Sequence, residues 1–314
     1  MFADAAPPSG RATSRSWMVI SLVGMLAWTA LALSAAGPRA ESPAHDSSAT
    51  PFRLTAAQPK KGADTSFHVA SFNLLGWSHT AKGGDAKGYA GGVKRMEYAY
   101  QILQNHHVNV VGFQEMQPQQ LDKFNDLTGK RWSLYPGNRL ERIAMNNSIA
   151  WKTSKWERVD ANYLRIPYFF GDKVKMPVVK LRNRATGRLV YFANFHNPAD
   201  TFGNAQKWRD LARRKEIRLA NRKSGEGVPL VLTGDMNERD KYFCNMVAKA
   251  PMRAANGGSN AAGSRCETPV PMGIDWIFGA KSIQFADYKK VESDLVHKTT
   301  DHPFVVARAT VPGR

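Results

Sequence analysis

The sequence predicts an α+β sandwich, and three observations predict it. Short apolar runs rich in Val, Ile and Phe and bounded by turn residues recur from Phe67 to about residue 310. Helical spacing of apolar residues separates some of these runs but not all, so the strict βαβ alternation of a doubly wound parallel sheet is missing. There is no internal repeat, and hydrophobic residues make up 43% of 314 positions, enough to bury a sizeable core.

The chain opens on Arg11 and Arg15, which precede an uncharged run from Ser16 to Pro38. Its apolar centre, MVISLVGMLAWTALAL, is followed by Ser34-Ala35-Ala36. A positive start, an apolar centre and a small-residue exit describe a signal peptide over residues 1–36. An uncleaved anchor is the alternative, because the run is nearly long enough to span a bilayer. Either reading places the body of the protein outside the cytoplasm. Residues 37–66 are rich in Ala, Pro, Ser and Thr without apolar periodicity and read as a disordered linker. The folded domain is expected over residues 67–314.

Within it, residues 67–72 form the first strand, the Gly-rich stretch 83–92 a loop, and Met96, Ala99, Tyr100 and Leu103 a helix face. Residues 108–113 read as a buried strand, and Leu121, Phe124 and Leu127 as a second helix face. Strands follow near 148–152, 156–164, 174–182 and 189–195. Residues 204–223 predict a long helix carrying eight Lys or Arg. Residues 228–232, 274–278 and 304–310 complete the strands.

Polar residues stand repeatedly at the ends of these strands: Asn73 after HVASF, Glu115 after VVGFQ, His196 after YFANF, and Asp235 and Asn237 after LVLTG. Asp275 lies in GIDWIF, and Asp301-His302 precede PFVVA. One Asn or Asp after a strand is a turn former, and one His or Glu is ordinarily satisfied or solvated. Repetition at strand ends, where side chains are held rigidly, points to a catalytic site.

The ordered set resembles the endonuclease/exonuclease/phosphatase superfamily, in its deoxyribonuclease I-like and exonuclease III-like branches. The resemblance rests on Asn73 in SFNLLGW, Gln114-Glu115, His196 in NFHNP, Gly234-Asp235-Met236-Asn237, Ile274-Asp275-Trp276-Ile277-Phe278 and Thr300-Asp301-His302, the last with Thr where the family has Ser. It spans residue 67 to about 310. It implies a four-layer α-β-β-α sandwich with two mixed β-sheets, and a metal-dependent phosphoric ester hydrolase. It also implies Mg²⁺ as cofactor, with Mn²⁺ or Ca²⁺ as alternatives. Glu115, Asn73 and Asp301 would hold the metal, partly through water, which suits an oxygen-rich set lacking a Cys or His cluster of zinc spacing. By the same resemblance Asp275 orients His302, which acts on the attacking water or contacts the phosphate. Asp235 and Asn237 would lie near the scissile phosphate, with Asp235 a rival base, and His196 would act near the leaving group.

Two departures are visible. The branch that pairs this His with a Glu has Met145-Asn146-Asn147-Ser148 here, leaving Asn147 as a phosphate contact. No Arg follows Glu115 to enter a minor groove; Met116-Gln117-Pro118 follows instead. Cys244 and Cys266 fall in the interval where deoxyribonuclease I-like enzymes carry a disulfide, and an oxidising destination favours the same pairing.

The net charge is +18, and without residues 1–40, which hold three Arg and one Asp, 41 basic and 25 acidic residues leave +16. Such a surface attracts polyanions. A nuclease of low sequence preference is the leading reading, with nucleic acid as substrate and Lys and Arg of the 204–223 helix as contributors. A sphingomyelinase-like phospholipase or inositol-phosphate phosphatase is the alternative, with Ile166–Gly171 as the apolar segment that would meet a bilayer. No stable protein partner is implied, and a monomer is expected.

Overall fold

A computed structural model describes residues 62–260 and 265–313. The expected signal peptide and nearly all of the expected linker lie outside the described residues. β1 (Thr65–Asn73) opens two residues before the expected domain start. Its run VASFN is buried throughout, as a central strand requires.

Strand β1 pairs in parallel with β2 (Val110–Gln114) and antiparallel with β12 (Phe304–Val311). With β3 (Trp132–Tyr135), β4 (Ile149–Lys152) and β11 (Gln284–Val291) these form a six-stranded sheet ordered β11-β12-β1-β2-β4-β3. The second sheet is ordered β5-β6-β7-β8-β10-β9. It comprises β5 (Trp156–Pro167), β6 (Lys173–Asn183), β7 (Leu189–His196), β8 (Leu230–Asp235), β9 (Met252–Ala254) and β10 (Asp275–Ala280). Strands β7 and β8 are its parallel pair, so each sheet is mixed.

Three apolar clusters occupy the three interfaces of a four-layer sandwich. Phe67, Val110, Trp151, Trp156, Phe192, Val231 and Ile277 fill the space between the sheets. Met96, Ala99, Leu103 and Phe124 seat α1 (Gly92–Asn105) and α2 (Pro118–Thr128) on the first sheet. Ala212, Leu219, Tyr242 and Phe243 seat α4 (Gln206–Gly225) and α5 (Asp240–Lys249) on the second. The one-turn helices α3 (Arg142–Met145) and α6 (Asp294–His297) lie in connections. Gly112 is required where the sheets approach: a Cβ there would stand 2.1 Å from Thr233 Oγ1 and 2.3 Å from Asn194 Oδ1.

Strands β3, β9 and β11 and helix α5 were not expected from the sequence. The charged helix differs in a second way. Arg209 and Arg213 are buried and bound to Asp200, and to Asp210 and Glu238, so they are structural and unavailable to a phosphate chain. Lys207, Arg214, Arg218 and Arg222 remain exposed. No helix among the described residues is long and apolar enough to cross a membrane.

Candidate active site

Strand direction builds the site. The parallel pairs β1–β2 and β7–β8 end at one rim, delivering Asn73, Glu115, His196 and Asp235. The antiparallel strands β10 and β12 start at that rim, bringing Asp275 opposite Asp235 in register and His302 just ahead of Phe304. The backbone is held there in sparsely populated conformations. Leu75, Glu115 and Asn237 have φ of 48°, 59° and 48°, the left-handed region that non-glycine residues occupy at a cost of about 1 kcal/mol or more.

Asn73 lies at the centre. Its amide nitrogen donates to Glu115 Oε1 at 2.9 Å and to Asp235 Oδ2 at 3.1 Å, and stands 3.5 Å from His302 Nε2. Its oxygen accepts the Leu75 N–H at 3.0 Å. Asn73 therefore holds two carboxylates side by side, and turns no free oxygen toward Glu115. Glu115 Oε2 accepts the Gly76 N–H at 2.9 Å. Burial alone would raise the Glu115 pKa. It is outweighed by the His79 ring, the nearby His196, the Gly76 N–H and the Asn73 amide, which hold the carboxyl below its ordinary range.

On the other side, His302 Nδ1 lies 3.0 Å from Asp275 Oδ2, and its Nε2 faces Asp235 Oδ2 at 3.7 Å. Burial alone would lower the His302 pKa; the Asp275 carboxylate outweighs it and pushes the imidazole up to about 10. His196 Nε2 faces the same Asp235 oxygen at 3.5 Å. The Asn237 N–H donates to Asp235 Oδ1 at 2.9 Å, fixing the carboxylate from behind, while the Asn237 amide donates to Asn197 O. The Thr300 hydroxyl donates to Asp301 Oδ1 and accepts the His302 N–H, so the hydroxyl of this motif organises the turn. Asp301 is exposed beside the rim. Asn147 is buried with its side-chain oxygen unpaired, and its side chain is bonded to none of the other site residues.

Several residues that support the site were missed. Arg95, 1% exposed, donates to the carbonyls of Leu74, Gly76, Ala90 and Thr299. It thereby ties the loop after Asn73 to the turn before His302. Gln114 donates to Asn194 Oδ1 at 2.6 Å, and the Thr233 hydroxyl donates to the same oxygen at 3.0 Å, a polar stitch between the sheets beneath the rim. His79, in the turn Trp77–Thr80, places Nε2 3.4 Å from Glu115 Oε2. None of these has a sequence signal beyond its residue type. Cys244 and Cys266 are bonded, with Cα atoms 5.8 Å apart, pinning α5 to the connection that leads back to Asp275.

Oxygen donors dominate the rim, and a divalent cation fits them. Glu115 and the exposed Asp301 are residues that could hold it. A second grouping, Asp235, Asp275 and His302, has ligand atoms all within 4.8 Å of one another. There the 3.0 Å Asp275–His302 contact already engages both partners.

A sandwich of two mixed sheets whose parallel strands deliver carboxylates and imidazoles to one rim defines a class of phosphoric ester hydrolases. The chain matches the endonuclease/exonuclease/phosphatase family over residues 70–302, three-quarters of its length and every residue of the rim, and belongs to that family. Among curated proteins, none matches the chain. Solved structures share the fold. An endonuclease/exonuclease/phosphatase family protein from Bacteroides thetaiotaomicron aligns with TM-score 0.59 and 19% identity, over 79% of this chain and 98% of its own. The mannosyl-6-phosphatase of the same organism gives 0.57 and 19%, over 77% and 99%. TDP2 of D. rerio, complexed with single strand DNA product, gives 0.53 and 14%, over 78% and 99%.

Proposed function

We propose that the chain is an exported, divalent-metal-dependent phosphodiesterase, and specifically a nuclease that cuts DNA or RNA with low sequence preference. The observation that carries the reaction is the Asp275–His302 pair aimed at Asp235, with Glu115 joined to the same Asp235 through one Asn73 amide. The +16 charge outside residues 1–40 favours a polyanionic substrate. The cation held by Glu115 and Asp301 would neutralise charge on the phosphate and the leaving oxygen.

The chain's own residues supply the rest. Asp275 fixes the His302 ring and favours its cationic form, which suits a phosphate oxygen better than a role as base. Asp235, buried, held by Asn73 and Asn237 and facing both imidazoles, is then the group placed to accept the proton of the attacking water. His196 Nε2, 3.5 Å from Asp235 Oδ2, is then the candidate to give a proton to the departing oxygen. Incubating the purified protein with plasmid DNA, RNA and sphingomyelin vesicles, with Mg²⁺ and with chelator, tests this reading. Metal-dependent nicking of nucleic acid is expected, and uncut DNA and RNA across metals and salt would remove the nuclease assignment.

A second reading, a phospholipase, is favoured by one feature. Phe169, Phe170 and Phe202 form a trio with centroids 5.4–6.0 Å apart, Phe202 meeting the other two edge-on, and Phe170 and Phe202 are 81% and 68% exposed. Only part of the apolar segment faces out: Ile166 is buried, and the Tyr168 hydroxyl donates to the His196 carbonyl. Replacing Phe170 and Phe202 by Ser separates the readings. Loss of vesicle hydrolysis with DNA cleavage kept would favour the lipid.

A further inference from the structure

The turn after Asn73 carries a histidine for which the reading above has no role. His79 Nδ1 lies 2.7 Å from Asp85 Oδ1, while Nε2 is aimed at Glu115 Oε2 across 3.4 Å. That is longer than a well-formed hydrogen bond. It matches the spacing of neighbouring donors held about 2.1 Å from one ion, roughly 3.0–3.4 Å apart for octahedral to tetrahedral angles. An imidazole that gives one nitrogen to a carboxylate and turns the other toward a cation is the usual arrangement of a ligating histidine.

The loop is built to hold the ring there. The His79 N–H donates to Gly76 O, and its carbonyl accepts the Ala86 N–H at 2.9 Å. Gly84 packs so closely that a Cβ would stand 2.2 Å from the His79 carbonyl oxygen. Gln117 accepts the Ser78 N–H at 2.7 Å, tying the turn to the start of α2, two residues after Glu115. The ring is partly open to solvent, its side chain 37% exposed, so a cation could reach the gap between Nε2 and Oε2.

We propose that His79, oriented by Asp85, is a nitrogen ligand that joins Glu115 in a mixed nitrogen–oxygen cation site. Such a site takes a borderline first-row cation in preference to Mg²⁺, because imidazole suits that class and adds little for Mg²⁺. The inference rests on the metal-dependent reading above and deepens it, by naming which class of cation the rim prefers.

Equilibrium titration of the full chain with Co²⁺, followed by its visible absorption, and with Mg²⁺ by calorimetry tests this apart from turnover. His79→Ala should weaken Co²⁺ binding about 10–100-fold and change the Co²⁺ spectrum, while Mg²⁺ affinity stays within about threefold. Asp85→Asn, on an exposed loop, should reproduce part of the Co²⁺ loss. Glu115→Gln should weaken both cations. Co²⁺ affinity and spectrum unchanged in His79→Ala, with Glu115→Gln still impaired, would overturn the role of His79 alone. Equal losses for both cations in His79→Ala would make it a structural residue and overturn the selectivity. Binding unchanged in Glu115→Gln as well would overturn the metal site itself, and with it this inference.

Discussion

Two histidines face one oxygen of Asp235, at 3.7 Å for His302 and 3.5 Å for His196, and what stands behind each is different. Behind His302 is Asp275, buried and 3.0 Å from the second ring nitrogen. Among the described residues no carboxylate is bonded to the second ring nitrogen of His196. The residue after it, Asn197, packs beside Glu216, whose Oε2 accepts the Tyr242 hydroxyl at 2.6 Å. One imidazole is thus oriented by a carboxylate on its second nitrogen, while the other is carried by its strand, where the Tyr168 hydroxyl bonds its carbonyl. The difference teaches that similar placement at a strand end does not make equivalent groups; the residue beyond the ring sets the role.

The comparison breaks most directly by mutation. His302→Ala should lower kcat by about a thousandfold, and His196→Ala by about a hundredfold, with KM little changed in both. Equal losses would show that the Asp275 contact confers nothing. Asp275→Asn should make His302 resemble His196, lowering kcat by about a hundredfold with the fold intact by circular dichroism.

Behind His196 the effect is on stability. Burial pushes the Glu216 carboxyl up to about 7, against the opposing Tyr242, Asn197 and Arg213 and with the Glu238 charge adding to the rise. A carboxyl that holds its proton more tightly when folded contributes stability that is greatest below its unfolded value near 4.5. That contribution falls as pH rises to about 7 and is flat above. Glu216→Gln should remove a fall on the order of 3 kcal/mol between pH 4.5 and 7, measured by urea unfolding. Its turnover should stay within about threefold of the parent, because the group is hydrogen-bonded to neither imidazole. A comparable effect concerns the staple beside Asp235 and Asp275. Reducing Cys244–Cys266, 22 residues apart, should lower stability by about 2–4 kcal/mol and leave the Asp275–His302 contact in place.

The rim was legible because each of its groups terminates or opens an apolar run, and strand ends are visible as the switch from apolar to polar. The same logic located most strands to within two residues. It failed where the signal is not periodic. Strand β11 reads QFADYKKV, polar and interrupted by a bulge with Asp287 at φ 55°, and β3 has only four residues. His79 and Arg95 act through loops whose paths depend on tertiary closure, so their partners at Glu115 and at the carbonyls of Leu74 and Thr299 cannot be read from spacing. Arg209 and Arg213 resembled a solvated basic face. They are buried because Asp200, Asp210 and Glu238 meet them from other elements. Phe202 completes an aromatic trio with residues more than thirty positions away.

The central claim is that this rim is a metal-dependent phosphodiesterase centre in which His302, held by Asp275, is indispensable. The measurement closest to it is hydrolysis of bis(p-nitrophenyl) phosphate by the purified protein and by His302→Ala, with Mg²⁺, with Co²⁺ and with chelator, since this probe requires neither a nucleic acid nor a membrane. The account predicts cation-dependent release of nitrophenol that chelator abolishes and His302→Ala reduces about a thousandfold. Hydrolysis that persists in chelator, or that His302→Ala leaves at the parent rate, would contradict it.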